Sequence, residues 1–232
     1  MARRHLGFDL NRSIPRKIFL SDGKGAERPF VSMILSPGQT GVMDRGYQAH
    51  DLFDRWQEEK KHFVCRIIAS TQKKLIKANE INPDSIFYDA IVLLGTPRVN
   101  QSKKPTRLVG YTVDGTKYWV ATSRFDLTAE QIALIYKLRW DTEKFFAWGK
   151  RHLKVYHLIA RSEYGLMVQI LAGLITYLLL AIYCREQHNE KVSIKRVREL
   201  RIKIQNEIRI ASSDIVGSNF ENSGISNCYA NI

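Results

Sequence analysis

The sequence predicts a mixed α/β domain. Short alternating apolar segments, punctuated by Gly, Asn, Asp and Pro, recur through the first half. From Thr128 onward the apolar spacing becomes helical, and an uncharged run fills residues 164–184, the kind of helix a sheet needs as a cover. At 232 residues the chain can bury one sizeable core, or one core plus a subdomain.

Residues 5–10 alternate and predict a strand. Residues 15–20 predict a second, after an Asn-Arg-Ser turn, and 21–25 a glycine loop containing Asp22. Residues 28–34 fit no single pattern. Ser36-Pro37-Gly38 is a turn, and 41–43 is a short buried strand ending at Asp44. Residues 47–61 read as a helix with Leu52, Phe53 and Trp56 on one face, and 62–69 as another strand. Strands are expected at 86–94, 107–113 and 117–122, the last two joined through Asp114-Gly115. Thr128 with Gln131 makes a capping box, so one helix is expected from there to about residue 153. The apolar helix follows, then a helix over 192–207 bearing Lys195, Arg196, Arg198, Arg201 and Lys203, diluted by Glu199 and Glu207. Residues 211–232 are rich in Ser, Asn and Gly and read as a disordered tail.

The formal net charge of +13 favours a polyanionic partner, nucleic acid or an anionic membrane surface. Cys65, Cys184 and Cys228 are scattered, without zinc-ligand spacing, which fits a reducing cytoplasm. The N-terminus has no apolar signal region. The 164–184 run is long enough to span a bilayer. Gln169, Thr176 and Tyr183 give it a weakly polar stripe, and Gly165, Ala172 and Gly173 permit close packing, so a buried core helix is the expectation.

Tyr136, Arg139, Glu143 and Lys150 lie at offsets of 0, 3, 7 and 14. On one helix they fall within roughly a 60° arc. Leu134, Leu138 and Phe145 then read as the buried face opposite. A carboxylate flanked by cations on a solvent-facing stripe suits a metal ion on phosphodiester DNA, with Glu143 holding the metal and Arg139 and Lys150 gripping phosphates. The alternative is a solvated face with an ordinary i,i+4 ion pair.

The spacing Tyr-x2-Arg-x3-Glu-x6-Lys resembles the signature of bacterial transposases of the insertion-sequence-4 type, and GVMDRGYQAHDLF at 41–53 resembles their second motif. The resemblance runs from about residue 8 to 207. It implies a ribonuclease H-like mixed sheet flanked by helices, with a β-rich insertion before the helix carrying the catalytic Glu. In that reading 1–69 is a partial core lacking its first strand, 70–125 the insertion, 126–210 the helical completion and 211–232 the tail. The resemblance makes Asp44 and Glu143 two of three metal-binding acids in a DDE site holding Mg²⁺, with Mn²⁺ able to substitute. It implies metal-dependent cleavage and strand transfer on double-stranded DNA, at transposon ends and then at a target. Tyr136, Arg139, Lys150 and Trp140 would contact that DNA, Trp140 and Trp119 being candidates to stack on a flipped base. A homodimer in a synaptic complex, a bacterial cytoplasmic, nucleoid-associated location and no membrane partner follow. The first acid lies upstream in the family, and Asp9 is a poor substitute because too little chain separates it from Asp44. The expectation is a truncated, catalytically impaired copy; the alternative is a non-catalytic DNA-binding remnant or inhibitor.

Overall fold

A computed structural model describes residues 3–21, 27–81, 85–152 and 162–221. Asp22 and most of its loop lie outside the described residues. The chain divides into two compact units, Met1–Gly173 and Leu174–Ile232.

The first unit opens with an antiparallel hairpin, β1 (Arg3–Asp9) and β2 (Ile14–Ser21), which forms a two-stranded sheet of its own. Helix α1 (Arg28–Ile34) follows, in the segment whose pattern was ambiguous; Pro29 supplies the fixed φ suited to a first turn. Strand β3 (Thr40–Met43), a 3₁₀ turn at Arg45–Tyr47, helix α2 (His50–Glu58) and strand β4 (His62–Arg66) form a right-sized crossover, and β3 pairs parallel with β4. Strands β5 (Lys73–Ala78), β6 (Ile86–Leu94), β7 (Thr106–Val113) and β8 (Thr116–Thr122) extend the same sheet, so the β-rich stretch is continuous with β3 and β4. The order is β3-β4-β8-β7-β6-β5, mixed in direction and flanked by helices, as a ribonuclease H-like fold requires. Asp114 and Gly115 both have positive φ, the conformation a two-residue hairpin turn demands.

Period-two alternation sends successive side chains to opposite faces. Phe63 and Cys65 of β4 join Val31, Phe53 and Trp56 beneath α1 and α2; Phe63 stacks on Phe53 at 4.3 Å. Val64, with Val109 and Val120, meets Ala129, Ile132 and Tyr136 of helix α3 (Ala129–Leu138) on the other side. A buried bidentate pair, Arg107 Nε to Asp89 Oδ1 at 2.9 Å and Nη2 to Oδ2 at 2.6 Å, locks β7 to β6. The same guanidinium donates to the Leu127 carbonyl, which fixes the chain just ahead of α3. Arg124 bonds Asp126 through both oxygens and reaches Thr40 Oγ1 at 2.9 Å, tying that segment to β3.

The single helix expected from Thr128 is two. α3 stops at Arg139 and α4 runs Trp140–His152. Around the break the bonds tighten to i→i−3, from Arg139 N–H to Tyr136 O and from Thr142 N–H to Arg139 O. The assignment of faces is also corrected. Leu134 is 59% exposed and Leu138 is exposed, whereas Tyr136 is 5% exposed. The sheet claims the face carrying Ile132 and Tyr136, and only Phe145 of the expected apolar face is buried.

Helix α5 (Glu163–His188) crosses the division between the units and is long and apolar enough to span a bilayer. It is not the buried core helix expected. Ile170, Tyr177 and Cys184 are buried, while Val168, Leu171, Ile175, Leu179 and Ile182 are exposed. A helix apolar all round needs cover on every side, and the described residues cover one stripe. In the second unit, helix α6 (Ile194–Glu221) continues past Ala211, where the tail was expected. Once nucleated, a helix propagates cheaply through a polar stretch. Residues 222–232 lie outside the described residues.

Candidate active site

Asp44 follows directly on β3, and the parallel register that pairs Met43 with Cys65 sets it level with Arg66 at the end of β4. Its Oδ1 accepts from Gly46 N–H at 2.8 Å, capping the 3₁₀ turn. Arg28 donates to the Gly46 carbonyl at 3.0 Å, and Cys65 Sγ donates to the Asp44 carbonyl at 3.3 Å. The Asp44 side chain is exposed, and its backbone is held from both sides. Burial, with the nearby Asp44 charge, pushes the Cys65 thiol far above its ordinary range, so it is a structural group.

A chain of aromatic and guanidinium groups links this strand end to the break between α3 and α4. Arg66 Cζ lies 4.7 Å from the Tyr118 ring centroid, and Tyr118 lies 6.3 Å from Tyr136. Arg139 Cζ stands 5.5 Å from the Tyr136 ring, and Arg139 Nη1 pairs with Glu143 Oε1 at 2.8 Å. Burial pushes the Tyr136 phenol up, while the Arg139 charge opposes it. Tyr136 Oη and Arg139 are buried side by side, and a side-chain hydrogen bond between them, with the phenol oxygen accepting, favours the Arg139 charge.

Of the residues read from the sequence, Tyr136, Arg139 and Glu143 come together, and Asp44 lies at the strand end to which they are linked. Tyr136 is part of the core, not of a solvent-facing stripe. Trp140, 57% exposed, flanks the break. Lys150 falls on α4, but its side chain lies outside the described residues. Trp119 points to the other face of the sheet, against Phe87 and Tyr88, with Lys73 Nζ 4.5 Å from its ring. That places it away from Tyr118 and Tyr136. Asp9 caps the turn between β1 and β2, its Oδ1 accepting from the N–H groups of Asn11 and Arg12 at 3.1 Å each. Arg66 and Tyr118 were missed; the visible signal was a charged residue closing the apolar strand HFVCR.

The family described as Transposase DDE domain matches residues 1–179. The chain belongs to that family. It is 28% identical over 201 residues to a protein of Geobacillus stearothermophilus named as a transposase for insertion sequence element IS5377, covering 85% of this chain and 53% of the relative. It is 29% identical over 187 residues to a Synechocystis protein named for insertion sequence element IS4SA, covering 76% of this chain and 51% of the relative. A Sinorhizobium fredii protein also named as a transposase is 28% identical over 190 residues, covering 78% and 53%. The DDE chain thus spans about half the length of the curated relatives it matches.

Among the described residues no group of three His, Cys, Asp or Glu side chains is placed to hold a metal ion. Asp44 and Glu143 are two acids on two elements, Glu143 is engaged by Arg139, and hard divalent cations favour several oxygen donors. These residues alone do not make a metal centre.

Proposed function

We propose that the chain carries two of the three acids of an insertion-sequence transposase, Asp44 and Glu143, and acts on double-stranded DNA by cleavage and strand transfer at the element's ends. The supporting observation is the Arg139–Glu143 pair at the α3–α4 break, linked through Tyr136, Tyr118 and Arg66 to the strand end that bears Asp44. Arg139 suits a phosphate oxygen, and Tyr136 backs its guanidinium from the sheet side. Exposed Trp140 suits stacking on an unpaired base, and Lys150 a further phosphate. Mg²⁺, with Mn²⁺ substituting, is the ion this reading implies once a third acid is present. The reading extends to a homodimeric synaptic complex in the bacterial cytoplasm, associated with the nucleoid.

That no third donor joins Asp44 and Glu143 among the described residues favours a second statement: the chain alone cleaves weakly or not at all and binds DNA as a remnant, or as an inhibitor of intact copies. The test is DNA binding and strand cleavage on linear DNA bearing the element's ends, with Mg²⁺ or Mn²⁺, comparing the chain with Glu143→Ala. Salt-dependent binding without cleavage is expected. Robust cleavage that disappears in Glu143→Ala would overturn the impairment, and absence of DNA binding would overturn the whole reading.

A further inference from the structure

The face of the large sheet turned away from Tyr118 and Tyr136 changes character along its strands. Ala90 of β6, Leu108 of β7 and Ala121 of β8 lie side by side and are buried with Phe53 and Phe63. Two residues further along each strand the row becomes Tyr88, Gly110 and Trp119, and both aromatics are only half-buried. The pairing of β6 with β7 shifts register between Ile86 and Tyr88. That bulge puts a third aromatic, Phe87, on the same face. Its ring meets Trp119 edge-on at 5.1 Å, and Tyr88 meets Trp119 at 5.1 Å from another side. Gly110 makes the row possible. A Cβ there would stand 2.5 Å from Phe87 Cε2, so the Phe87 ring occupies the space a side chain would take.

Two lysines lie over these rings. Lys73 Nζ, from the edge strand β5, stands 4.5 Å from the Trp119 centroid and 5.9 Å from that of Tyr88. Lys117 Nζ stands 5.3 Å from the Phe87 centroid. Both lysines are exposed, and among the described residues neither forms an ion pair. An ammonium resting on an exposed ring is a weak contact. A base stacked on the ring, with the freed ammonium on a phosphate, replaces it by two stronger ones. A duplex cannot use the rings in this way, because its bases are already stacked on one another. The formal charge of +13 adds attraction for any phosphate backbone.

We propose that Phe87, Tyr88 and Trp119, flanked by Lys73 and Lys117, form a platform for single-stranded DNA. The rings take about two or three unpaired bases, and the lysines take the phosphates beside them. The platform lies on the opposite face of the sheet from Tyr118 and Tyr136, so it is a second nucleic-acid site and does not depend on the roles given to Asp44 and Glu143.

The experiment uses the full chain, a fluorescein-labelled oligothymidylate of about 15 nucleotides and a duplex of the same length, and reads anisotropy across a salt series. The chain is expected to bind the oligothymidylate. Lys73→Gln with Lys117→Gln is expected to lower the ratio of single-strand to duplex affinity about tenfold and to flatten the single-strand salt slope by about 1.4, for two phosphate contacts. Tyr88→Leu keeps an apolar side chain against Trp119 and is expected to lower the ratio by about tenfold through the lost stacking. Lys74→Gln with Lys77→Gln removes the same charge from the other face of β5 and is expected to leave the ratio where it was. No binding of the oligothymidylate overturns the platform, and so does an equal fall in the ratio with the Lys74 and Lys77 pair. If the duplex is bound and the oligothymidylate is not, the platform fails and the transposase reading stands. If the oligothymidylate is bound with these losses and the duplex is not, the platform stands and that reading fails.

Discussion

The two edges of the six-stranded sheet show how differently one sheet treats its ends. At β5 every residue is exposed and three of six are lysines. At β3 the strand is short, uncharged and half buried, with helices above and below and an acid at its end. The first edge is finished against water. The second carries Asp44, one of the two acids proposed above for the site, and it is finished only as far as burial goes. Stability and function are therefore expected to separate along the sheet.

The largest effects sharpen that contrast. Phe63→Ala, next to the β3 edge and packed on Phe53 and Trp56, is expected to cost about 3–5 kcal/mol in denaturant unfolding. Leu75→Ala on β5 is expected to stay within about 0.5 kcal/mol; equal costs would break the comparison. Asp89→Ala leaves the Arg107 guanidinium buried without its partner, and a loss of about 3 kcal/mol is expected, together with faster amide exchange in α3, whose approach Arg107 holds. Tyr136→Phe removes the hydroxyl that backs Arg139, so stability is expected to fall by about 1 kcal/mol while DNA affinity falls as the guanidinium loses its support. A fall in stability with unchanged DNA binding would make Tyr136 a core residue alone. Replacing Lys73, Lys74 and Lys77 by Thr is expected to leave the unfolding midpoint nearly unchanged and raise light scattering, because the edge loses its charges.

The smallest effect is in pH. The Arg124 hydrogen bond lowers the Asp126 carboxyl to about 2. A carboxyl depressed in the folded state stabilises above its ordinary value near 3.9 and ceases to as pH falls toward 2. Acid titration of unfolding should therefore lose a small increment in that window, and Asp126→Asn should remove it. An unchanged profile would mean that the exposed pair contributes nothing measurable.

Much of the scaffold was legible locally. The strands from β6 to β8 and the turn at Asp114-Gly115 follow from alternation and from the positive φ that Gly and Asp tolerate. The capping box at Thr128 is present as read. β5 was not legible, because KKLIKA buries no face and so leaves no alternating signature. The break at Arg139 was not legible either, since no Pro or Gly marks it and the helical spacing runs through it. The buried face of α3 was inverted because Tyr136, with a polar tip, was read as solvent-facing when its ring fills the sheet surface. The link from Arg66 through Tyr118 is set by long-range strand pairing, which spacing within one segment does not encode.

The break at Arg139 gives α3 and α4 the mechanics of a lever. α3 is mounted on the sheet, and α4 begins at the fulcrum. At about 1.5 Å per residue, Glu143 stands about 6 Å from that point and Lys150 about 16 Å. A rotation of about 10° at Arg139 would carry the Glu143 backbone by about 1 Å and the Lys150 backbone by about 3 Å. The acid would hold its place while the cation at the far end of the arm swept through the larger arc.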